Sequence, residues 1–527
     1  MAKAAVQLVA KGRASPTTLV EDAVALHQDS LVIGAYGQVS LRQFDAVRLK
    51  ATAEMARARA DEFPELRTLI REIEAGPLRA IALMERLADR CQQSIVPVPK
   101  RIAYVLDRSL PYASNGYAMR SHRLARSLLD KGADIVCLTR PGFPSDLESC
   151  QRDYDSLTAL EIVDGVGYHR IHFPLQRDFA RLSSDITAHA PLRYLERAAE
   201  TLMRQFVAIR PSCVIAASNF VAALPASLAA RQLGLPFVYE VRGFWEITRA
   251  SRDPDYLQSP MGRQEIAMEA SVARTADAVI TLTDTMRDEL VARGVTADRV
   301  TIAPNAADVN TFRPKPRSER LLEQLNLDPE VPVIGYIGSF MPYEGLDDLV
   351  KACGQLKAKG MGFRLLLVGS EPPNDEGAFP VTDEICELID RGGLKDWLIM
   401  PGRVPHEEVA EWYSLVDIAP FPRKSLPVSE LVSPLKPLEA MAMEKAIVVS
   451  SVGGMREMVH DGRTGLVFTK DDVTALTDTL LRLLQDVPLQ RKLGRAGRKW
   501  VRRKRSWDSV ADVLLGVAST VTLSRNR

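Results

Sequence analysis

Between Pro420 and Gly465 the chain reads Ser433-Pro434-Leu435-Lys436-Pro437-Leu438-Glu439-Ala440-Met441-Ala442, then Ala446-Ile447-Val448-Val449-Ser450. Gly453-Gly454-Met455-Arg456-Glu457 and Asp461-Gly462-Arg463-Thr464-Gly465 follow. Ala446–Ser450 is an apolar run without alternation, the pattern of a parallel strand covered on both faces. Lys436 stands in a loop flanked by Pro434 and Pro437, just ahead of a helix carrying Glu439. Those prolines restrict the backbone and pre-position the ammonium. This is the strongest candidate site in the chain.

The same texture extends both ways. Short apolar runs between amphipathic helices mark strands at Ile102–Leu106, Asp134–Leu138, Tyr168–His172, Cys213–Ala217, Phe237–Val241 and Ala278–Leu282. After the linker-like Arg313-Pro314-Lys315-Pro316 the pattern restarts at Val333–Ile337, Arg364–Val368, Leu398–Met400, Asp417–Pro420, Ala446–Ser450 and Leu466–Phe468. The predicted class is α/β: two Rossmann-like, doubly wound domains over residues 100–314 and 317–490. They face a cleft where ligands bind at strand carboxyl ends. Residues 1–95 read as a helical extension, joined by the stiff segment Val96-Pro97-Val98-Pro99. Residues 491–527 read as terminal helices, with Trp507, Val510, Leu514 and Val517 on one face. The last is expected to pack back on the first α/β domain.

A chain of 527 residues exceeds one hydrophobic core. Its net charge of +1 gives no field for nucleic acid, and none is expected as a partner. The six cysteines include no C-x-x-C pair and fit a reducing compartment. Met-Ala-Lys-Ala-Ala at the start is not followed by the apolar core of a signal peptide. The uncharged stretch from Val214 to Ala230 contains Asn219 and Pro225 and falls short of the roughly 20 residues of a span. A cytoplasmic protein is expected. Nine of the fifteen residues from Arg491 to Arg505 are Lys or Arg, with no acid. They read either as a solvated helix face or as a peripheral contact with the inner face of a membrane or a polyanionic product. The seven histidines are scattered, and His169 with His172 lacks a third ligand, so no metal site is read.

Two further sites border the expected cleft. Asn115-Gly116-Tyr117 follows the first strand and opens a helix, where glycine lets backbone N–H groups approach a ligand. Glu240-Val241-Arg242-Gly243-Phe244-Trp245-Glu246 ends another strand. Aromatic faces beside charged hydrogen-bonding groups suit a sugar. The competing reading is an Arg242–Glu246 surface pair with Trp245 buried.

The Leu-Glu-Ala-Met-Ala stretch at 438–442, the strand after it, Gly-Gly-x-x-Glu and Asp-Gly-x-Thr-Gly resemble, in order and spacing, the family 4 glycosyltransferases. Pro304-Asn305-Ala306-Ala307-Asp308 and Gly335-Tyr336-Ile337-Gly338 extend the resemblance, which covers roughly residues 100 to 510. It implies the GT-B fold. It also implies that Glu439 holds the nucleotide ribose, that Gly338 and Ser339 lie by the donor diphosphate, and that Arg403 and Val404 frame the base. Ser433, Leu435 and Lys436 belong to the same donor side. Asn115, Gly116 and Tyr117, with Arg242, Trp245 and Glu246, fall on the acceptor side. Three departures stand out. Ser339 and Glu344 occupy positions where relatives carry an arginine and a lysine that neutralise the diphosphate. Leu431 occupies the place of the first glutamate of a pair, with Glu430 beside it as a substitute. Arg242 stands where many relatives have histidine. Lys436 and Arg242 are therefore the expected replacement cations.

The expected activity is transfer of a sugar from a nucleoside diphosphate sugar, UDP ahead of GDP, to a saccharide or lipid-linked saccharide hydroxyl. The resemblance implies retention of configuration without a metal, the nucleotide sugar being substrate and no cofactor being required. Cell-surface polysaccharide or glycoconjugate synthesis is the expected setting. A noncatalytic scaffold and a related sugar phosphorylase or synthase remain as alternatives.

Overall fold

A computed structural model describes residues 30–89, 94–147, 158–173, 192–371, 373 and 377–525; residues 1–29, Cys91 and Cys150 lie outside them. The extension is helical over Ser30–Gln43, Ala46–Arg59, Leu66–Ile73 and Arg79–Glu85. Ile33, Leu49, Leu66 and Ile73 form a small core of its own. Val98 then runs extended, its N–H donating to the Arg210 carbonyl at 2.8 Å.

The first sheet contains β1 (Ile102–Leu106), β2 (Ile135–Thr139), β3 (Leu160–Val163), β4 (Val166–His169), β5 (Cys213–Ala217), β6 (Phe237–Glu240), β7 (Ala278–Thr281) and β8 (Val300–Ile302). Their spatial order is β3-β4-β2-β1-β5-β6-β7-β8, parallel except for the β3–β4 pair. The second contains β9 (Val333–Ile337), β10 (Arg364–Val368), β11 (Leu398–Gly402), β12 (Ile418–Phe421), β13 (Ala446–Ser450) and β14 (Leu466–Phe468), in the order β11-β10-β9-β12-β13-β14. Every side chain of β1, β5, β9 and β13 is buried, as strands sandwiched between helices require. Winding reverses between β1 and β5 in one sheet and between β9 and β12 in the other. Those two points open the crevices in which ligands of such sheets bind.

Two edge elements escape the sequence reading. The strand expected at Tyr168–His172 begins earlier, at Val166, because it is the second arm of a hairpin with β3. Asp164 and Gly165 take φ of 48° and 81°, the paired left-handed turn that Asp-Gly favours. The other is β8, only three residues long and half-buried throughout.

Val487–Lys504 packs on the second domain through buried Leu493 and Val501. Trp507–Arg525 then crosses to the first domain, where Trp507, Val510, Ala511 and Leu514 join the cluster around β1 and β5. Asp508 accepts a hydrogen bond from Ser127 Oγ at 2.6 Å, and Asp512 pairs with Lys131 at 2.8 Å. The last helix therefore belongs to the core of the first domain. Leu514→Ala is expected to lower stability by about 3 kcal/mol, the cost of emptying a fully buried leucine site. Denaturant unfolding checks this, and a loss below about 1 kcal/mol would show that the helix is not part of that core.

Candidate active site

Gly338 follows β9 and Arg423 stands just beyond β12, so both lie at the reversal point of the second sheet. Lys436 opens the helix Lys436–Ala442 and lies across Gly338. A Cβ added at Gly338 would meet Lys436 Cε at 2.2 Å, so only glycine leaves room for the lysine. The ammonium donates to Tyr336 Oη at 2.6 Å and Glu344 Oε1 at 2.9 Å, with a long 3.5 Å contact to the Ser339 carbonyl. Arg423 grips the same carboxylate, Nη2 to Oε1 at 2.8 Å and Nε to Oε2 at 3.2 Å. Burial alone would raise the Glu344 pKa, but Arg423 and Lys436 outweigh it and hold it at about 2. Burial also lowers the Lys436 pKa, helped by Arg423 and opposed by Glu344. Glu439, one turn further along the helix, is pushed up to about 7 by burial, with Lys436 and Arg123 opposing.

The first domain closes the opposite side. Gly116 lies 3.8 Å, measured from a built Cβ, from the Leu435 side chain. Arg403 reaches Ser114 Oγ at 3.4 Å. Asn115 caps the helix Gly116–Asp130 by accepting from the Ala118 N–H at 3.0 Å. Gly338, Ser339, Arg403, Leu435, Lys436, Asn115 and Gly116 are thus brought to one cleft, while Val404 packs half-buried against the second core. Ser433 is buried, and its carbonyl accepts from Asn305 Nδ2 at 2.7 Å. Glu457 accepts from the Asp284 and Thr285 N–H groups at 3.0 and 3.2 Å. The stretch from Ser433 to Glu457 therefore also ties the domains together.

Four expected site residues are turned elsewhere. Arg242 is buried, donating to Glu240 Oε2 at 2.8 Å, Ser121 Oγ at 2.7 Å and the Tyr117 carbonyl at 3.0 Å, and also to the Tyr104 hydroxyl. It compensates a buried carboxylate, and both terminal nitrogens are committed to acceptors of the first domain, while Nε is buried without a partner among the described residues. Tyr117 stacks under this guanidinium at 4.6 Å and accepts the Asp107 N–H at 2.9 Å. Glu246 is fully buried and pairs with Arg293 at 2.6 Å, so neither sugar recognition nor an Arg242–Glu246 pair describes it; Trp245 beside it is half-buried. Glu430 binds Lys470, the Gly453 N–H at 2.8 Å and Ser425 Oγ at 3.0 Å. It pins its own short helix to the glycine turn and does not replace a missing first glutamate.

Sequence reasoning missed Arg423, although a cation directly after a buried strand was its signal. It also missed Arg120, which is buried and donates to Glu240 Oε1 at 2.9 Å and to the Ala303 carbonyl at 2.8 Å. Among the described residues, no cluster of His, Cys, Asp or Glu is placed to hold a metal ion.

Two doubly wound domains meeting at a cleft, with a lysine laid over the glycine after the first strand of the second, define a GT-B glycosyltransferase. The family model described as glycosyl transferases group 1 matches residues 331–486, and the glycosyl transferase 4-like domain matches residues 115–306. The chain belongs to the group 1, or family 4, glycosyltransferases. It is 27% identical over 304 residues to a D-inositol 3-phosphate glycosyltransferase of Xylanimonas cellulosilytica, covering 56% of this chain and 69% of that one. It is 27% identical over 210 residues to a GDP-mannose-dependent alpha-(1-6)-phosphatidylinositol monomannoside mannosyltransferase of Mycobacterium tuberculosis, covering 40% of this chain and 52% of that one. The sucrose-phosphate synthase of Thermosynechococcus elongatus shares the fold with a TM-score of 0.64 and 20% identity, over 81% of this chain and 100% of that one.

The raised pKa of Glu439 predicts a pH effect with a definite sign. The folded carboxyl keeps its proton up to about pH 7, whereas an unfolded one loses it near 4.5. The unfolded chain therefore gains on ionisation, and the contribution of Glu439 to stability falls as pH rises from 4.5 through 7. Glu439→Gln cannot ionise and should lose less stability than the parent between pH 5 and pH 8. Parallel thermal unfolding at the two pH values reads the difference, and identical changes in both proteins would place Glu439 in water.

Proposed function

We propose that the chain moves a sugar from a nucleoside diphosphate sugar, UDP ahead of GDP, to a hydroxyl of a saccharide or lipid-linked saccharide. Configuration is retained and no metal ion takes part. The observation that carries this reading is Lys436 lying across Gly338 with Glu439 one turn behind it and the Asn115–Gly116 loop opposite. A diphosphate beside Gly338 meets the ammonium, and the ribose hydroxyls meet the Glu439 carboxyl, which has two oxygens for a vicinal pair. The acceptor oxygen then attacks the anomeric carbon on the face the phosphate leaves. The bond to the β-phosphate oxygen breaks and that oxygen takes the acceptor proton. Catalysis comes from holding the partners together and from stabilising the departing diphosphate. Relatives named for an inositol phosphate and for a phosphatidylinositol mannoside favour an acceptor carried on a phosphate or a lipid. This suits cell-surface polysaccharide or glycoconjugate synthesis.

Thermal-shift screening against UDP, GDP and their sugars tests donor binding, since ligand at 100 times its Kd stabilises by roughly 2.7 kcal/mol. With a donor and acceptor in hand, Lys436→Ala should lower turnover by about a hundredfold, as loss of one oxyanion donor does. A variant within about threefold of the parent would remove Lys436 from the reacting phosphate.

The helix Val487–Lys504 bears on the setting. Its buried side, with Leu493 and Val501, rests on the second domain, while Arg491, Lys492, Arg495, Lys499, Arg502, Arg503 and Lys504 are exposed. Arg498 and Arg505 are instead spent on the carbonyls of Phe312 and Glu457. Since the whole chain carries only +1, its positive charge is strongly segregated onto this face. No helix among the described residues is long and apolar enough to cross a membrane. We read the face as a peripheral contact with anionic lipid, at about 1 kcal/mol per facing cation. Neutralising Arg491, Lys492, Arg495 and Lys499 should abolish sedimentation with phosphatidylserine vesicles at low salt; equal binding by both proteins would leave a solvated helix.

A further inference from the structure

Glu344 stands where related chains place a lysine, and its surroundings assign it a task of its own. Both carboxylate oxygens are occupied, Oε1 by Arg423 Nη2 at 2.8 Å and Lys436 Nζ at 2.9 Å, Oε2 by Arg423 Nε at 3.2 Å. The third nitrogen of Arg423, Nη1, donates to the Val432 carbonyl at 3.1 Å, so each nitrogen of this guanidinium has a protein acceptor. Lys436 keeps two firm partners, Tyr336 Oη and Glu344, and its third N–H makes only the 3.5 Å contact to the Ser339 carbonyl. The ammonium itself lies beside Gly338, where an added Cβ would come within 2.8 Å of Nζ. Two cations and one carboxylate thus leave a single net positive charge behind the phosphate position, carried by the ammonium beside Gly338.

We infer that Glu344 is a positioning residue that sets the grip of this subsite. It points Lys436 at the phosphate and holds the local charge at +1, which limits affinity for the nucleoside diphosphate product and keeps its release fast. The inference rests on the reading of Lys436 as the diphosphate cation. Removing the Glu344 charge has two opposed effects: the ammonium loses an anchor, and the site gains one unit of positive charge. A unit charge one hydrogen bond behind the ligand, in partly buried surroundings, outweighs the ordering of one lysine rotamer. The sign of the change is therefore tighter binding of the diphosphate.

The test is calorimetric binding of UDP and GDP, and of uridine and guanosine, to the full chain and its variants. Glu344→Gln should bind the cognate nucleoside diphosphate about tenfold tighter, with nucleoside affinity unchanged and turnover reduced. Arg423→Gln leaves Glu344 to cancel Lys436 and should bind the diphosphate about tenfold more weakly, again with the nucleoside unchanged. A merely structural role would weaken both ligands together in both variants. Unchanged or weaker diphosphate binding by Glu344→Gln overturns the inference; should that variant not fold, unchanged or tighter binding by Arg423→Gln does so. Lys436→Ala separates the two levels. If it leaves diphosphate affinity intact, the underlying reading of the site fails; if it weakens it while Glu344→Gln does not tighten it, only the role of Glu344 fails.

Discussion

A carboxylate buried between two cations organises the first domain, and the second domain repeats the device. Glu240 ends β6 with no exposure to solvent and is bound by Arg120 and Arg242. Burial would raise its pKa, yet the two guanidiniums hold it at about 2. An unpaired charge in that position would cost several kcal/mol, so everything that touches it is fixed. Arg120 carries the constraint to the helix Gly116–Asp130 and to the carbonyls of Ala303 and Pro304 at the domain junction. Arg242 carries it to Ser121 and Tyr117. The loop Asn115–Gly116, at the head of that helix, is placed by a charge it never touches.

Glu344 with Arg423 and Lys436 has the same stoichiometry and a different outcome. In the first domain both cations are buried arginines whose terminal nitrogens all donate to protein acceptors. In the second, one cation is a lysine with two short hydrogen bonds and one long contact, and its ammonium lies beside Gly338. An arginine is suited to closing a buried site because its planar donors match fixed acceptors; a lysine presents a point charge that turns to a ligand. One arrangement is closed by two arginines, and the other holds a half-buried lysine at the edge of the cleft.

Much of this was legible in the chain, and the failures have physical causes. Buried parallel strands are apolar at every position, so the central strands were readable, whereas β3 and β8 lie at sheet edges, half solvated, and lack that signature. That Gly338, Lys436 and the Asn115–Gly116 loop would border one cleft was readable because turn geometry and proline context are local. Arg242 was misjudged because residues two apart at a strand end share a face, which pairs it with Glu240 rather than with Glu246. Glu430 was misjudged because one residue on a helix is a rotation of about 100°, enough to turn its carboxylate from the cleft to Lys470. Arg423 acts through a partner 79 residues away in sequence, and nothing local announces that pairing.

The departure at Glu344 is one part of a linked set of residues rather than an isolated change. A buried glutamate at 344 is tolerable only if cations compensate it, and a lysine at 436 keeps one direction only if something fixes it. Arg423 satisfies the first need and Glu344 the second. Gly338 supplies the space, since any Cβ there would displace the lysine stem. Each of the four residues is explained by the other three, and reverting one alone would strand a buried charge or block its path. A degenerate site would have lost such partners piecemeal and left orphaned charges behind. Here both carboxylate oxygens are bound by cations, each nitrogen of the guanidinium has an acceptor, and the lysine ammonium lies beside the glycine after β9.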